Sequence, residues 1–151
     1  MFFMDQSPRD HADIRLWLRL LYCTSRIEQQ LQSRLTAEFG MSLARFDMLS
    51  QLERAPDGLT MTELSRQMMV SNGATTSLVD RLAEDGLLQR APHPSDRRTT
   101  IISLTDAGRA RFLEIAQEHE GWVIGLLEGL TPEAKAELLS GLGALKQHLS
   151  N

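Results

Sequence analysis

The stretch from residue 59 to residue 105 constrains the fold of this chain more than any other part of it. It reads LTMTELSRQMMVSNGATTSLVDRLAEDGLLQRAPHPSDRRTTIISLT. Two short helical patterns come first, with a polar break between them, and two strand-like runs follow around an arginine-rich turn. The chain therefore carries a compact unit of two helices and a hairpin.

Start and stop signals divide the helical half of this stretch. Thr60, with Glu63 three residues later, has the pattern of a capping box, which predicts a helix over residues 61–68. Ser71 is a favourable N-cap for a second helix over residues 72–85. Gly86 stands where a terminating glycine is expected.

The other half predicts a β-hairpin. Residues 87–91 and 99–104 suit strands, and the later run, TTIISL, is rich in β-branched side chains. Between them lies PHPSDRR, whose two prolines favour a turn. We expect its arginines to stand at the tip of the hairpin.

Long helices flank this unit on both sides. Apolar residues at helical spacing predict a helix over residues 11–39, and another follows the N-cap Ser42. Further helices are expected from Thr105 to about residue 127 and from Thr131 to residue 149. Residues 1–10 have the composition of a loose arm.

Composition narrows the class of protein. The 151 residues, of which 42% are hydrophobic, fit a single domain over residues 1–151. No apolar run approaches the roughly 20 residues of a membrane helix, and the N-terminus lacks signal-peptide features, so we expect a cytoplasmic protein. The one cysteine, Cys23, cannot form an internal disulfide.

Charge is distributed unevenly along the chain. The net charge is −4, yet residues 90–111 carry five arginines against two aspartates, and the acidic excess lies in residues 112–151. Only two of the 16 basic residues are lysines, and arginine suits planar, bidentate contacts with phosphates and base edges. Local rather than total charge therefore favours a nucleic-acid contact near the hairpin.

Three motifs of this unit occur in one register. LAEDGLLQR (residues 82–90) leads into the hairpin, SDRR (95–98) forms its tip, and ISLTDAG (102–108) leads out of it. Together they resemble the MarR (multiple antibiotic resistance regulator) family of bacterial transcription factors, over about residues 11–149. The resemblance implies a mainly α (α+β) fold, a winged helix-turn-helix with about six helices and a β-hairpin wing.

The resemblance also implies an assembly and a mechanism. Residues 59–104 would read the DNA, and the helices of residues 11–39 and 105–149 would hold two chains in a homodimer. Family members bind palindromic operators in double-stranded DNA, usually as repressors. Many release the DNA when a small aromatic or acyl ligand enters a cleft beside the dimer helices. No cofactor is implied.

Residues of the second helix of the unit are expected to meet DNA, because in a helix-turn-helix this helix enters the major groove by its N-terminal end. An asparagine can pair with adenine, and a threonine methyl can touch a thymine methyl. The alternatives are a purely capping role at the helix start and an intrahelical ion pair further along. The candidate contacts are Asn72, Thr75, Thr76 and Arg81.

The tip of the wing supplies a second set of contacts. In the family, an arginine two places after an aspartate enters the minor groove and the aspartate holds it in position, which carries over to Asp96 and Arg98. A narrow minor groove is electronegative, and an oriented arginine loses less freedom on entering it. Arg97 is expected to meet phosphate. The alternative is an ordinary solvated turn.

An effector site is expected in a cleft lined by the first, second and fifth helices. An arginine beside aromatic side chains suits a carboxylate or a phosphate-bearing ligand, here an aromatic acid or its coenzyme A thioester. Core packing or a structural pair is the alternative for each candidate. The candidates are Arg19, Tyr22, Arg26, Arg45 and Phe46.

Other sensing chemistry is less consistent with the sequence. One branch of the family senses peroxides through a first-helix cysteine that precedes a tyrosine by about one turn. Cys23 follows Tyr22 instead, so we expect a packed thiol and keep redox sensing as an alternative. The four histidines lack metal-ligand spacing. The glycines at 121, 125 and 129 are expected to allow a close approach at the dimer junction or a bend.

Two further classes of protein differ from a regulator. The chain has no nucleophile–base set and no phosphate-binding loop, so it is not expected to be an enzyme. An adaptor that kept the winged fold but binds protein would fit the acidic net charge. The intact Asp96-Arg97-Arg98 tip argues against that adaptor.

Overall fold

A computed structural model of the chain describes residues 11–151, so the arm expected over residues 1–10 lies outside the described residues. The prediction of a mainly α winged helix-turn-helix is confirmed, with six helices along the described part of the chain. The elements are α1 Ala12–Phe39, α2 Leu43–Glu53, β1 Leu59–Thr60, α3 Met61–Met68, α4 Asn72–Glu84, β2 Leu88–Pro92, β3 Thr100–Leu104, α5 Asp106–Leu127 and α6 Pro132–Leu149.

Side-chain caps start five of the helices, as their sequences predict. Each cap accepts a hydrogen bond from the backbone N–H three residues later and so satisfies a donor that the first helical turn leaves free. Thr60 and Glu63 complete the capping box, because Glu63 Oε2 also accepts from the Thr60 N–H at 3.4 Å. The five caps are Ser42, Thr60, Ser71, Thr105 and Thr131.

The wing belongs to a three-stranded antiparallel sheet in the order β1-β3-β2. β2 and β3 form the predicted hairpin, in which Leu88 lies opposite Leu104. β1 pairs with β3 through Leu59 opposite Ile102 and was not predicted. Two residues are too few to show strand alternation, so only the tertiary pairing defines this strand.

The core lies in the head, where α2, α3, α4, the sheet and the first half of α5 meet. Only the C-terminal part of α1 reaches it, through Leu35 and the partly buried Phe39. The head is therefore docked on one end of the long helix. The largest fully buried hydrophobic side chains are Leu35, Met48, Leu49, Leu52, Leu64, Val79, Leu82, Ile102 and Ile115.

The other parts of the long helices are not covered by the rest of the chain. The first half of α1 exposes Trp17 and Tyr22, at 55% and 66%. α6 buries no residue along its length, and Leu139 is 76% exposed. We call these apolar parts of α1 and α6 the frame surface. Apolar faces of this kind are typical of surfaces that bind another protein.

Candidate nucleic-acid interface

The N-terminal turn of α4 presents part of the predicted contact set to solvent. Ser71 caps the helix by accepting from the Ala74 N–H at 3.1 Å, which leaves the Asn72 side chain exposed and free of this task. Thr76 is also exposed, and its Oγ1 donates to the Asn72 carbonyl oxygen at 2.9 Å. Asn72 and Thr76 therefore lie together on the outer surface of this turn.

Thr75 departs from the prediction, because its side chain is completely buried. Its Oγ1 accepts a hydrogen bond from Ser65 Oγ at 2.7 Å and donates to the Ser71 carbonyl oxygen at 2.9 Å. A side chain in this position cannot touch a base, so Thr75 is corrected to a residue that fixes α3 against α4. The spacing to Val79 and Leu82, four and seven residues later, was the sequence signal for an inward face.

Arg81 remains available at the surface, with 61% of its side chain exposed. Its Nε lies 3.7 Å from Asp85 Oδ2, the intrahelical pair that was the alternative to a DNA contact. Exposed pairs of this kind contribute little stability, so the guanidinium can leave Asp85 at small cost.

The wing tip is an ordered turn around Asp96. Asp96 Oδ1 accepts from the backbone N–H of Arg98 at 3.1 Å and from its Nε at 3.3 Å, while Oδ2 accepts from Thr99 Oγ1 at 3.4 Å. The Arg98 backbone and guanidinium donors lower the pKa of Asp96, which keeps the carboxylate charged. Arg98 nevertheless stays 92% exposed, and Arg97 is exposed beside it.

A salt bridge links the wing to α4. The Arg90 guanidinium on β2 donates to Asp80 on α4, and both side chains are partly exposed. Sequence reasoning missed this pair, because ten residues and a change of element separate its members. The contact joins the hairpin to the helix that carries Asn72 and Thr76, but as an exposed pair it adds little to the core packing of Leu88 and Ile102, which positions the hairpin.

Comparisons with known proteins agree with this geometry. A family model described as MarR family matches residues 39–99. The chain is 33% identical over 117 residues to the HTH-type transcriptional regulator PecS of Dickeya dadantii (strain 3937), an alignment that covers 76% of this chain and 70% of PecS. The chain belongs to the MarR family.

A second relative and a solved structure support this assignment. The HTH-type transcriptional repressor YetL of Bacillus subtilis (strain 168) is 30% identical over 142 residues, covering 93% of this chain and 84% of YetL. A MarR family transcriptional regulator from Silicibacter pomeroyi has a TM-score of 0.82 and 33% identity, covering 95% of this chain and 99% of that one. The relatives are named as regulators, which confirms that this MarR-family chain is not an enzyme.

The five effector candidates of this MarR-family chain do not form one site. Arg19, Tyr22 and Arg26 are exposed on one face of α1, since three and four residues separate them. Arg45 instead holds the corner between α1 and α2: its Nε donates to Ser42 Oγ at 3.1 Å and its Nη2 to the Gly40 carbonyl oxygen at 3.3 Å. It also lies 4.0 Å from Asp85.

Phe46 is a core residue, at 4% exposure. Its ring stacks on Phe112 at 5.5 Å and contacts the His119 ring at 4.8 Å. Desolvation in this cluster lowers the pKa of His119, so the imidazole is neutral near pH 7. The prediction of an effector contact is corrected for Phe46, because its face is occupied by α5.

Two clefts flank the C-terminal half of α1. The cleft toward α2 is acidic in part: Asp47 has a raised pKa, caused first by its partial desolvation and then by Glu28, which lines the cleft. The cleft toward α5, of about 370 Å³, is lined by Arg34 and Trp122, and the Arg34 guanidinium stands 5.8 Å from the indole centroid. Neither Arg34 nor Trp122 was among the residues predicted from the sequence.

The structure also locates the residues considered for redox and metal sensing. Cys23 is exposed rather than packed, because α1 is uncovered at this point of the chain. Among residues 11–151 no three His, Cys, Asp or Glu side chains gather in a metal-binding group. Over the same range, none of the helices is both long and apolar enough for a membrane crossing.

Proposed function

We propose that this MarR-family chain is a homodimeric, sequence-specific DNA-binding regulator, a repressor that a small aromatic acid or its coenzyme A thioester releases from a palindromic operator. The wing tip carries the DNA-binding part of the proposal. Asp96 accepts one hydrogen bond from the Arg98 backbone N–H and one from its guanidinium Nε, and still leaves 92% of that side chain exposed. An exposed cation held in one direction is suited to a narrow, electronegative minor groove.

Two reading elements act together in this proposal. The Asn72–Thr76 surface enters the major groove, and Arg98 enters the adjacent minor groove. The Arg90–Asp80 salt bridge joins β2 to α4 at the surface, and the shared core holds the two elements together. Arg81 and Arg97 lie on the flanks of these elements and supply phosphate contacts, which position the protein without reading sequence.

The frame surface supports the homodimer. α1 and α6 have apolar faces that the rest of the chain does not cover. Their side chains include Trp17, Leu21, Leu138 and Leu142, at 45–55% exposure. Residues 11–39 and 105–149 would bury these faces against a second copy. The dimer would hold two copies of the DNA-reading part, residues 59–104, at a fixed distance, which a palindromic operator requires.

A gel shift tests DNA binding. The purified full chain is titrated against a fragment of its own promoter and a scrambled fragment, at two salt concentrations. We expect a specific complex whose affinity falls steeply with salt, because phosphate contacts release counterions. Arg98→Ala should weaken it by about 1–3 kcal/mol. Lys135→Ala, which removes an equal charge from exposed α6, is the matched control and should not.

The outcome separates a regulator from an adaptor. Equal affinity for promoter and scrambled fragment, or no complex at all, would contradict the proposed function and favour a protein-binding adaptor. Unchanged promoter affinity in Arg98→Ala would contradict only the role of the wing. Sedimentation of the same samples tests the dimer, since a monomer at micromolar concentration would contradict the frame assignment.

The cleft between α1 and α5 fits the proposed ligand class better than the α1–α2 cleft does. The Arg34 guanidinium can hold a carboxylate or phosphate, and the Trp122 face can stack on a ring. Each cleft also has one glutamate in its lining, Glu28 in the α1–α2 cleft and Glu128 in the α1–α5 cleft, so the preference rests on Arg34 and Trp122. Arg19, Tyr22 and Arg26 would contribute from the exposed face of α1.

Thermal-shift screening against hydroxycinnamic acids and their coenzyme A thioesters tests this site, because a ligand of the native state raises Tm. A ligand found in this way should quench Trp122 fluorescence in a Trp17→Phe background and lose affinity in Arg34→Ala. If Arg26→Ala loses affinity and Arg34→Ala does not, the site lies on the α1 face instead. Peroxide on wild type and Cys23→Ser tests the redox alternative in parallel.

A further inference from the structure

Four glycines are required by the backbone conformation or the close packing of the folded chain. Gly40, Gly58 and Gly86 adopt positive φ angles of 59°, 84° and 77°, which other residues disfavour. Gly108 has no room for a side chain, because a Cβ would collide with the backbone of Leu87. At these four positions the folded chain explains the glycine.

Gly73 has no such explanation. It lies in the first turn of α4 with ordinary helical backbone, and a Cβ there would meet only Ser71 Oγ at 4.0 Å, an ordinary contact. Glycine is among the least favourable residues in a helix, because its backbone loses the most freedom on folding. Alanine would therefore suit this position better if the folded chain were all that mattered.

The position of Gly73 on α4 indicates what it faces. At 100° per residue, Gly73 lies about 180° around the helix from Leu82 and about 160° from Thr75, both of which are fully buried. Gly73 therefore stands on the outermost line of α4. Asn72 and Thr76 lie on one side of this line, about 100° and 60° around the helix from Gly73, and both are exposed.

Charge along the same line limits how α4 can approach DNA. Its later members include Asp80 and Glu84, both exposed and acidic. Phosphates would repel the Glu84 carboxylate, and Asp80 is already paired with Arg90, whereas the first turn carries the free N–H groups and the positive end of the helix dipole. The helix must enter the groove by its first turn, with Gly73 leading.

We propose that Gly73 is a specificity-determining residue: its missing side chain lets the first turn of α4 approach a base pair closely enough for Asn72 and Thr76 to reach base edges. The proposal rests on the proposed DNA-binding function. A methyl group at this point would lift the turn away from the base pair and lengthen the base contacts. Phosphate contacts from the flanks and the wing would persist.

Gly73→Ala tests the proposal because it should change stability and specific binding in opposite directions. We expect Tm to rise by about 1–4 °C, since alanine favours the helix. Affinity for the promoter fragment bound by wild type should fall about 10- to 100-fold, the range of a lost base contact, while affinity for scrambled DNA stays within about twofold. Gly141→Ala, in α6 with nothing within 4 Å of an added Cβ, is the control for helix stabilisation. Because α6 belongs to the proposed dimer, sedimentation first checks that the dimer of this control is unchanged.

Each other result overturns a defined part of the reasoning. If wild type binds its promoter and Gly73→Ala binds it equally well, Gly73 has no role in reading. Equal losses on both DNA fragments place the close approach at phosphate and overturn the specificity role. A lower Tm in Gly73→Ala shows that the fold itself requires the glycine. Failure of wild type to bind any DNA overturns the proposed function instead.

Discussion

The buried hydrogen bond between Ser65 and Thr75 gives the sharpest test of how α4 is positioned. Ser65 Oγ donates to Thr75 Oγ1 at 2.7 Å, and both side chains are buried, at 6% and 0% exposure. Thr75→Val preserves the shape of the side chain and removes its hydroxyl. The substitution therefore removes the bond from Ser65, together with the donation of the Thr75 hydroxyl to the Ser71 carbonyl oxygen, and leaves the packing around it in place.

Removing the acceptor of this bond and removing its donor should lower the free energy of unfolding by different amounts. In Thr75→Val the Ser65 hydroxyl loses its acceptor inside the core, which costs about 1–3 kcal/mol. In Ser65→Ala the Thr75 hydroxyl keeps its donation to the Ser71 carbonyl oxygen, so the loss should be about 0.5–1.5 kcal/mol. The double variant leaves no polar group unpaired and should lie near Ser65→Ala, giving a coupling of about 1–3 kcal/mol.

Urea unfolding of the four proteins at one fixed concentration measures these values, since the stability of a dimer depends on concentration. A gel shift at a temperature where all four are folded accompanies it. We expect Thr75→Val to bind the promoter almost as tightly as wild type. If both single variants are as stable as wild type, the bond has no structural role. If Thr75→Val is fully folded yet loses tenfold in affinity, Thr75 reads DNA after all.

Three further predictions follow from single contacts. Asp96→Asn should weaken promoter binding less than Arg98→Ala, because it loosens the arginine without removing it; equal losses in gel shifts would contradict an orienting role. Gly108→Ala should destabilise the chain by more than about 1 kcal/mol in urea unfolding, because a Cβ collides with the Leu87 backbone, and a neutral result would contradict the close approach. The burial that lowers the pKa of His119 keeps its imidazole neutral in the fold, so the unfolded chain binds an extra proton as pH falls through about 6.5, and stability should fall with it. His119→Phe should flatten this dependence between pH 7.5 and 5.5, whereas an unchanged slope would assign it to other groups.

The helices and their ends were accessible from the sequence because local chemistry defines them. The predicted range 61–68 matches α3, and the five predicted N-caps are all present, since a cap needs only a side chain and a backbone N–H three residues away. The hairpin was predictable for the same reason. β1 was not, because its pairing with β3 joins residues more than forty positions apart.

In the candidate site too, local interactions were predictable from the sequence and long-range contacts were not. Asp96 and Arg98 are two residues apart, so their pairing could be carried over from the family motif to this chain. Thr75 and Phe46 were misassigned because a polar or aromatic side chain in an amphipathic helix does not reveal what lies opposite it. Their partners, Ser65 and His119, belong to other helices.

By itself, the sequence determined the order of the six helices and the hairpin, the family, and the charged tip of the wing. All of these depend on interactions within a few residues, where periodicity, capping and turn chemistry act directly. Tertiary structure alone decided that Thr75 pairs with Ser65, which arginine holds the α1–α2 corner, and that Arg90 of the wing pairs with Asp80 of α4. Those contacts join residues that approach one another only when the helices pack, and burial then selects which polar groups must be paired inside and which remain free to bind.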